Sequence, residues 1–182
     1  MSLLRAILQL CGIPDQQPSY APQPNYPGQP QQQGGVWFAH AYFFPSEESF
    51  RQVRTVITSA QRTLDICVYS ITDNDLANAI IDAHRRGVRV RIISDDDQAK
   101  NKGSDTLRMR DMGIPLVFDN APSFMHNKYA IADHAVIVTG SYNWTKGARQ
   151  QNQENVVISN SPELVQSFSS NFDMLWRKFG GR

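Results

Sequence analysis

The clearest candidates for chemistry lie in Met125–Thr145, which reads MHNKYAIADHAVIVTGSYNWT. An imidazole and an ammonium stand two positions apart, at His126 and Lys128, and a hydroxyl and a carboxamide stand two positions apart, at Ser141 and Asn143. A neutral imidazole can attack phosphorus, and an ammonium can neutralise the charge that builds on the non-bridging oxygens. These residue types are therefore suited to attack on the phosphorus of a phosphate ester.

Two short runs of apolar and small residues must position these groups. Tyr129–Ala132 and Ala135–Thr139 are separated by Asp133-His134, which is typical of two antiparallel strands joined by a tight turn. With two residues in the turn, Ala132 pairs with Ala135. The same counting places Lys128 opposite Thr139 and His126 opposite Ser141.

Alternate side chains of a strand share a face, so this stretch should present two different faces. One face is expected to be an open, electropositive floor that carries His126, Lys128, Ala130 and Ala132. The other is expected to pack inward and carries Met125, Tyr129 and Ile131.

The spacing H-x-K-x4-D, followed by G-S-x-N, resembles the signature of the phospholipase D superfamily. The matching positions are His126, Lys128, Asp133, Gly140, Ser141 and Asn143. The resemblance covers roughly Ala41–Phe179 and is greatest for members with a single motif, namely the small bacterial endonucleases and the Zucchini-type mitochondrial cardiolipin hydrolases. The segments GVRVRIISDDD, FMHNKYAIAD, TGSYNWT and NQENVVI are most similar to the latter group.

This resemblance implies roles for individual residues. His126 would form a covalent phosphohistidine intermediate, and Lys128 would neutralise the phosphate, in a reaction that needs no metal ion. Glu154 in NQENVVI matches the downstream acid that orients the nucleophile. Asp133 belongs to the motif and is a catalytic candidate, although its position favours shaping the turn over direct contact with phosphate. Ser141 and Asn143 would bind substrate.

The motif occurs once, which bears on assembly. His40, His84 and His134 each lack a lysine two positions on. The family obtains a second acid for the leaving oxygen from a second motif, so the resemblance implies a homodimer with a composite active site.

The reaction class leaves the substrate open. The first candidate is an endonuclease acting on single-stranded RNA or DNA, with Lys100, Lys102, Lys146 and Arg149 as groove residues. The alternative is a phospholipase acting on cardiolipin or another phospholipid and releasing phosphatidic acid, for which Phe124 and the N-terminal segment are the hints. A non-catalytic, nucleic-acid-binding relative is disfavoured because the motif is complete.

Composition limits the remaining possibilities. The chain has 182 residues and a net charge of +1, so any anion site must be local. Cys11 and Cys67 show no zinc-binding spacing, and Cys67 is expected to be a buried free thiol. No cofactor is expected, and the acidic run at 95–97 is interpreted as solvated. A cytoplasmic location is expected, with the mitochondrial surface as the alternative.

Three regions follow from the composition. Residues 1–13 form a short apolar segment that could associate weakly with a membrane, and residues 14–35 form a Pro/Gln-rich disordered linker. Residues 36–182 form a phospholipase D-like catalytic domain. Within it, Leu64–Tyr69, Asn74–Arg86 and Val88–Ile93 read as strand, helix and strand, which predicts parallel pairing. The fold class is therefore α/β, with a mixed central sheet flanked by helices.

Overall fold

The computed structural model describes residues 37–100 and 103–181. The predictions for the segments 1–13 and 14–35, for Cys11 and for Lys102 concern residues outside these ranges. The strands are β1 Ala39–Phe44, β2 Thr63–Val68, β3 Arg89–Ser94, β4 Leu116–Phe118, β5 Lys128–Ala132, β6 Val136–Gly140 and β7 Glu154–Ser159. The helices are α1 Glu47–Ser59, α2 Asn74–Arg85, α3 Asp96–Lys100, α4 Thr106–Asp111, α5 Lys146–Gln150 and α6 Pro162–Lys178.

The strands form one seven-stranded sheet in the order β1-β7-β6-β5-β2-β3-β4. Strands β2, β3 and β4 are parallel, whereas the pairs β2–β5, β5–β6, β6–β7 and β7–β1 are antiparallel. The predicted mixed sheet and the predicted parallel pairing of β2 with β3 are confirmed.

Both faces of the central hairpin are packed. Ala130 and Ala132 belong to the hydrophobic core that includes α1 and α2, whereas Tyr129 and Ile131 belong to the core under α6. The predicted alternation is confirmed. The prediction that this face is an open floor is wrong, however, because both alanines are fully buried. Within β5 only Lys128 is accessible, while His134 and Ala135 are exposed at the turn.

The predicted register of the hairpin is also wrong by one residue. Ala132 pairs with Val136, and Tyr129 pairs with Thr139. Asp133 and His134 have φ of 55° and 51°, as a type I′ turn requires, and the Ala135 amide closes that turn on the Ala132 carbonyl at 2.9 Å. Ala135 is then an additional residue before β6 begins.

Two short helices were not predicted. The acidic run at 95–97 leads into α3, where the Asp95 carboxylate accepts the Gln98 backbone amide at 3.0 Å and Lys100 pairs with Asp96. The Asp95 side chain therefore acts as a helix cap rather than as a solvated charge. Helix α5 begins similarly, with the Thr145 hydroxyl accepting the Ala148 amide at 3.1 Å.

Candidate active site

The sheet topology gathers the chemical groups at one edge. The parallel strands β2 and β3 end there, and the antiparallel partner β5 begins there, with Lys128 opposite Val68. Strand β6 ends at the same edge with Gly140, next to the start of β7 at Glu154. We call this the catalytic edge. It brings together five of the predicted residues: His126, Lys128, Ser141, Asn143 and Glu154.

His126 and Lys128 occupy the middle of the catalytic edge. His126 is exposed and lies in the irregular segment just before β5, not on the strand as expected. Lys128 is half-buried, and its ammonium donates a hydrogen bond to the His126 carbonyl at 2.8 Å. Burial lowers the pKa of Lys128, and the Glu154 carboxylate opposes that shift. Lys128 thus holds a local positive charge beside an accessible imidazole.

Glu154 is held by its neighbours on the same edge. Its carboxylate accepts the Ser141 hydroxyl at 2.5 Å and the Asn152 side-chain amide at 3.1 Å. The Ser141 hydroxyl in turn accepts the Asn155 amide at 3.1 Å. Ser141 therefore contacts the proposed orienting acid, in addition to any role it has with substrate.

The loop carrying Asn143 is fixed by close packing. Trp144 beside it is buried, and its carbonyl accepts the amides of Thr72 and Asp73 at 2.9 and 3.0 Å. The Asn143 side-chain oxygen is buried without a hydrogen-bond partner among the described residues. Gly140 is needed before this loop because a Cβ there would overlap the Asn155 carbonyl oxygen.

Asp133 lies at the opposite edge of the sheet, where it is buried in the hairpin turn. Its carboxylate accepts the backbone amides of Gln61, Arg62 and Thr63 at 2.7–3.2 Å. At ~3.3 Å per residue, five residues of strand separate it from Lys128 by roughly 16 Å. The structure therefore separates Asp133 from the residues of the catalytic edge, and the Asp133 carboxylate instead fixes the backbone at the start of β2.

Two of the candidate groove cations are already paired. The Arg149 guanidinium donates to Glu47 at 2.6 and 3.0 Å and to Asp75 at 2.8 Å, and it lies 3.4 Å from the Phe50 ring centroid. Lys100 donates to Asp96 at 2.6 Å. Lys146 is exposed at the start of α5. Arg149 is thus committed to holding α5 against α1 and α2.

One aromatic residue at the catalytic edge was missed in the sequence. Tyr69 follows β2 directly, and its ring centroid lies 4.6 Å from that of His126. Lys128 Nζ lies 5.1 Å from the Tyr69 centroid, and Phe124 contacts Tyr69 edge to face at 5.7 Å. Tyr69 ends the apolar run LDICVY, and its residue type alone did not separate it from the core.

Other expectations concern groups outside the chemistry. Cys67 is a buried free thiol, as predicted, with its pKa raised to about 12 by burial. No group of three or more His, Cys, Asp or Glu residues that could hold a metal occurs within residues 37–100 and 103–181. Within those same ranges, no helix has the length and apolar character needed to cross a membrane.

Comparison with known proteins identifies the family. A model described as "Cardiolipin synthase, PLD-like domain" matches residues 53–176. The chain belongs to this PLD-like family. The predicted membership of the phospholipase D superfamily is therefore confirmed.

Individual relatives agree with this assignment. Mitochondrial cardiolipin hydrolase of Chlamydomonas reinhardtii is 42% identical over 146 residues, covering 80% of this chain and 66% of that protein. The Homo sapiens protein of the same name is 37% identical over 133 residues, covering 73% and 53%. The PLD-like chain thus spans between half and two thirds of the length of these two relatives.

Solved structures give the same fold. Nuc, a phospholipase D family member from Salmonella typhimurium, is 32% identical with a TM-score of 0.71, and the match covers 79% of this chain and 96% of Nuc. NucT from Helicobacter pylori is 24% identical with a TM-score of 0.74, covering 81% and 100%, and this match shows the fold alone.

Proposed function

We propose that this PLD-like chain is a phosphodiester hydrolase whose nucleophile is His126. The observation that carries the proposal is the exposed imidazole beside the Lys128 ammonium at the catalytic edge. That ammonium donates a hydrogen bond to the His126 carbonyl. An accessible nucleophile next to a fixed positive charge is what attack on a phosphate anion requires.

The reaction would proceed in two steps. An unprotonated ring nitrogen of His126 attacks phosphorus, and the bond to the leaving oxygen breaks as that oxygen receives a proton. Water then attacks the phosphohistidine, a base takes the proton of that water, and the phosphorus–nitrogen bond breaks. Glu154 is proposed to orient His126 through the other ring nitrogen, and Ser141 holds that carboxylate in place.

The proton donor of the first step is proposed to be His126 of a second chain. The motif occurs once in the sequence, and a twofold arrangement would place both His126 rings at one phosphate. The test uses mixed dimers of wild type and His126→Ala. Shared sites predict that activity falls with the square of the wild-type fraction, whereas a linear fall, or full activity of a monomer at high dilution, would refute the composite site.

A phospholipid of the cardiolipin type is the substrate best supported. The relatives at 35–42% identity that are named mitochondrial cardiolipin hydrolase cover about three quarters of this chain. Two exposed phenyl rings, Phe43 and Phe124, stand near the catalytic edge, where they suit an apolar substrate. The names of these relatives also favour a location at the mitochondrial surface over one in the cytoplasm.

Single-stranded nucleic acid is the second candidate substrate. The observation that favours it is the pair formed by Tyr69 and Phe124, because rings beside a phosphate-binding lysine can stack on bases. The commitment of Arg149 to Glu47 and Asp75 leaves this candidate with fewer groove cations than the sequence predicted.

One paired assay separates the two candidates. Wild type and His126→Ala are each given cardiolipin liposomes and, separately, a labelled single-stranded oligonucleotide, in EDTA. Release of phosphatidic acid that is lost in the variant supports the phospholipase, and cleavage of the oligonucleotide that is lost in the variant supports the endonuclease. Activity that His126→Ala retains on either substrate would refute the assignment of His126 as the nucleophile.

A further inference from the structure

We propose that Tyr69 is a positioning residue of this site, because its ring holds the His126 imidazole and the Lys128 ammonium in the geometry that one phosphate requires. This inference rests on the proposed function of His126 and Lys128. It assigns a role to a residue that lies outside the motif, 57 positions before His126 in the chain.

His126 needs an external support. It lies before β5 begins, in a segment without regular secondary structure, and its side chain is exposed. The Glu154 carboxylate bonds Ser141 and Asn152 and keeps acceptor sites for its proposed bond to one ring nitrogen of His126, which leaves the faces of the ring without support. The side-chain contact that the structure gives His126 is the tilted packing of its ring on Tyr69, with 57° between the ring planes.

Tyr69 is itself firmly placed. It directly follows the buried central strand β2, and its amide donates to the Asn127 carbonyl at 2.9 Å. Its own carbonyl accepts the Ser94 hydroxyl at 3.3 Å. The ring is therefore anchored through its backbone on both sides, by the segment that carries His126 and by β3.

The same ring also contacts the second catalytic group. Lys128 Nζ lies 5.1 Å from the Tyr69 centroid, within the ~6 Å range of cation–π attraction. One aromatic ring thus contacts both the proposed nucleophile and the proposed phosphate-binding cation. Phe124 covers Tyr69 from a further side, edge to face at 5.7 Å.

The ring rather than the hydroxyl carries this role. Burial, together with the carboxylates of Asp95 and Asp97, raises the pKa of Tyr69, so the phenol stays protonated at neutral pH. Both contacts described above are made by the ring atoms. Phenylalanine at this position should therefore preserve the positioning role, whereas an aliphatic residue should abolish it.

The test compares Tyr69→Phe with Tyr69→Leu and Tyr69→Met, using the better of the two substrates above. A loss of alignment at the nucleophile can cost about 100-fold in rate. We expect Tyr69→Phe to stay within about threefold of the wild-type kcat, and Tyr69→Leu and Tyr69→Met to lose roughly 10- to 100-fold in kcat with little change in KM. Phe168→Leu is the matched control, since it removes an edge-on ring contact with Tyr129, whose side chain packs in the core under α6 and not against His126 or Lys128.

A spectroscopic measurement keeps the inference separate from the proposed activity. The ring of Tyr69 should shift the proton resonances of His126, assigned by their absence in His126→Ala, and Tyr69→Phe should preserve the shift while Tyr69→Leu and Tyr69→Met abolish it. Full kcat in Tyr69→Leu, equal loss in Tyr69→Phe, or an unchanged His126 shift in both aliphatic variants would overturn the positioning role. No turnover by wild type on either substrate would instead overturn the proposed function, while the shift would still test the contact.

Discussion

Asp133 belongs to the motif by sequence but lies at the opposite edge of the sheet from the catalytic group, so its replacement should reduce stability and spare chemistry. Its carboxylate accepts three backbone amides, those of Gln61, Arg62 and Thr63. Gln61 and Arg62 are exposed, so water can partly replace the lost acceptor, and we take ~1 kcal/mol for each bond. The total is about 3 kcal/mol.

The backbone adds a second contribution. Asp133 has a φ of 55°, a left-handed conformation that costs an alanine roughly 1–2 kcal/mol. Asp133→Ala should therefore lower the free energy of unfolding by about 4–5 kcal/mol. Asp133→Asn tolerates this φ and keeps one acceptor oxygen, so it should lose only ~1 kcal/mol.

Urea unfolding followed by circular dichroism measures these losses. With an m-value of roughly 2 kcal/mol/M, Asp133→Ala should shift the midpoint down by about 2 M and Asp133→Asn by about 0.5 M. The kcat of both folded variants should remain within about twofold of wild type, because roughly 16 Å separates Asp133 from Lys128. A variant with the wild-type midpoint and a tenfold lower kcat would refute the structural assignment.

Three further predictions concern the catalytic edge. Glu154→Gln should lower kcat about tenfold or more and leave KM close to wild type in steady-state kinetics, because the proposed role of Glu154 is to orient the nucleophile and not to bind substrate. A rise in KM alone would contradict this role. On the alkaline side of the pH–rate profile, activity should be lost with a midpoint below the ordinary lysine pKa of 10.5, because burial lowers the pKa of Lys128 and the ammonium is the form proposed to act. The same midpoint in Lys128→Arg would exclude Lys128 as the titrating group. Gly140→Ala should destabilise the fold by about 2 kcal/mol or more in thermal melts, because the added Cβ would overlap the Asn155 carbonyl oxygen; an unchanged melting temperature would show that β7 yields without cost.

The catalytic edge could be predicted from the sequence because its members lie close together in the chain. His126, Lys128, Ser141 and Asn143 fall on one hairpin and its flanks, and the hydrophobic periodicity of β5 and β6 is clear. The parallel pairing of β2 and β3 also followed from a short strand–helix–strand unit. Local patterns were sufficient for these features.

The features that could not be predicted depend on contacts between distant segments. Tyr69 joins the site because β2 pairs with β5, which places Val68 opposite Lys128. Arg149 is withdrawn from the surface by Glu47, 102 positions away in the chain. Neither partner is signalled by the residues next to it, so both roles required the sheet order and the helix packing.

The most direct test of the nucleophile is to trap the covalent intermediate. Wild type, His126→Ala and Glu154→Gln are mixed with phosphorus-labelled substrate in EDTA, quenched in alkali, digested and mapped by mass spectrometry. A phosphohistidine should appear on the peptide containing His126, survive alkali, be lost in acid and be absent from His126→Ala. An adduct on another residue, or an equal yield of adduct in His126→Ala, would contradict the proposed mechanism.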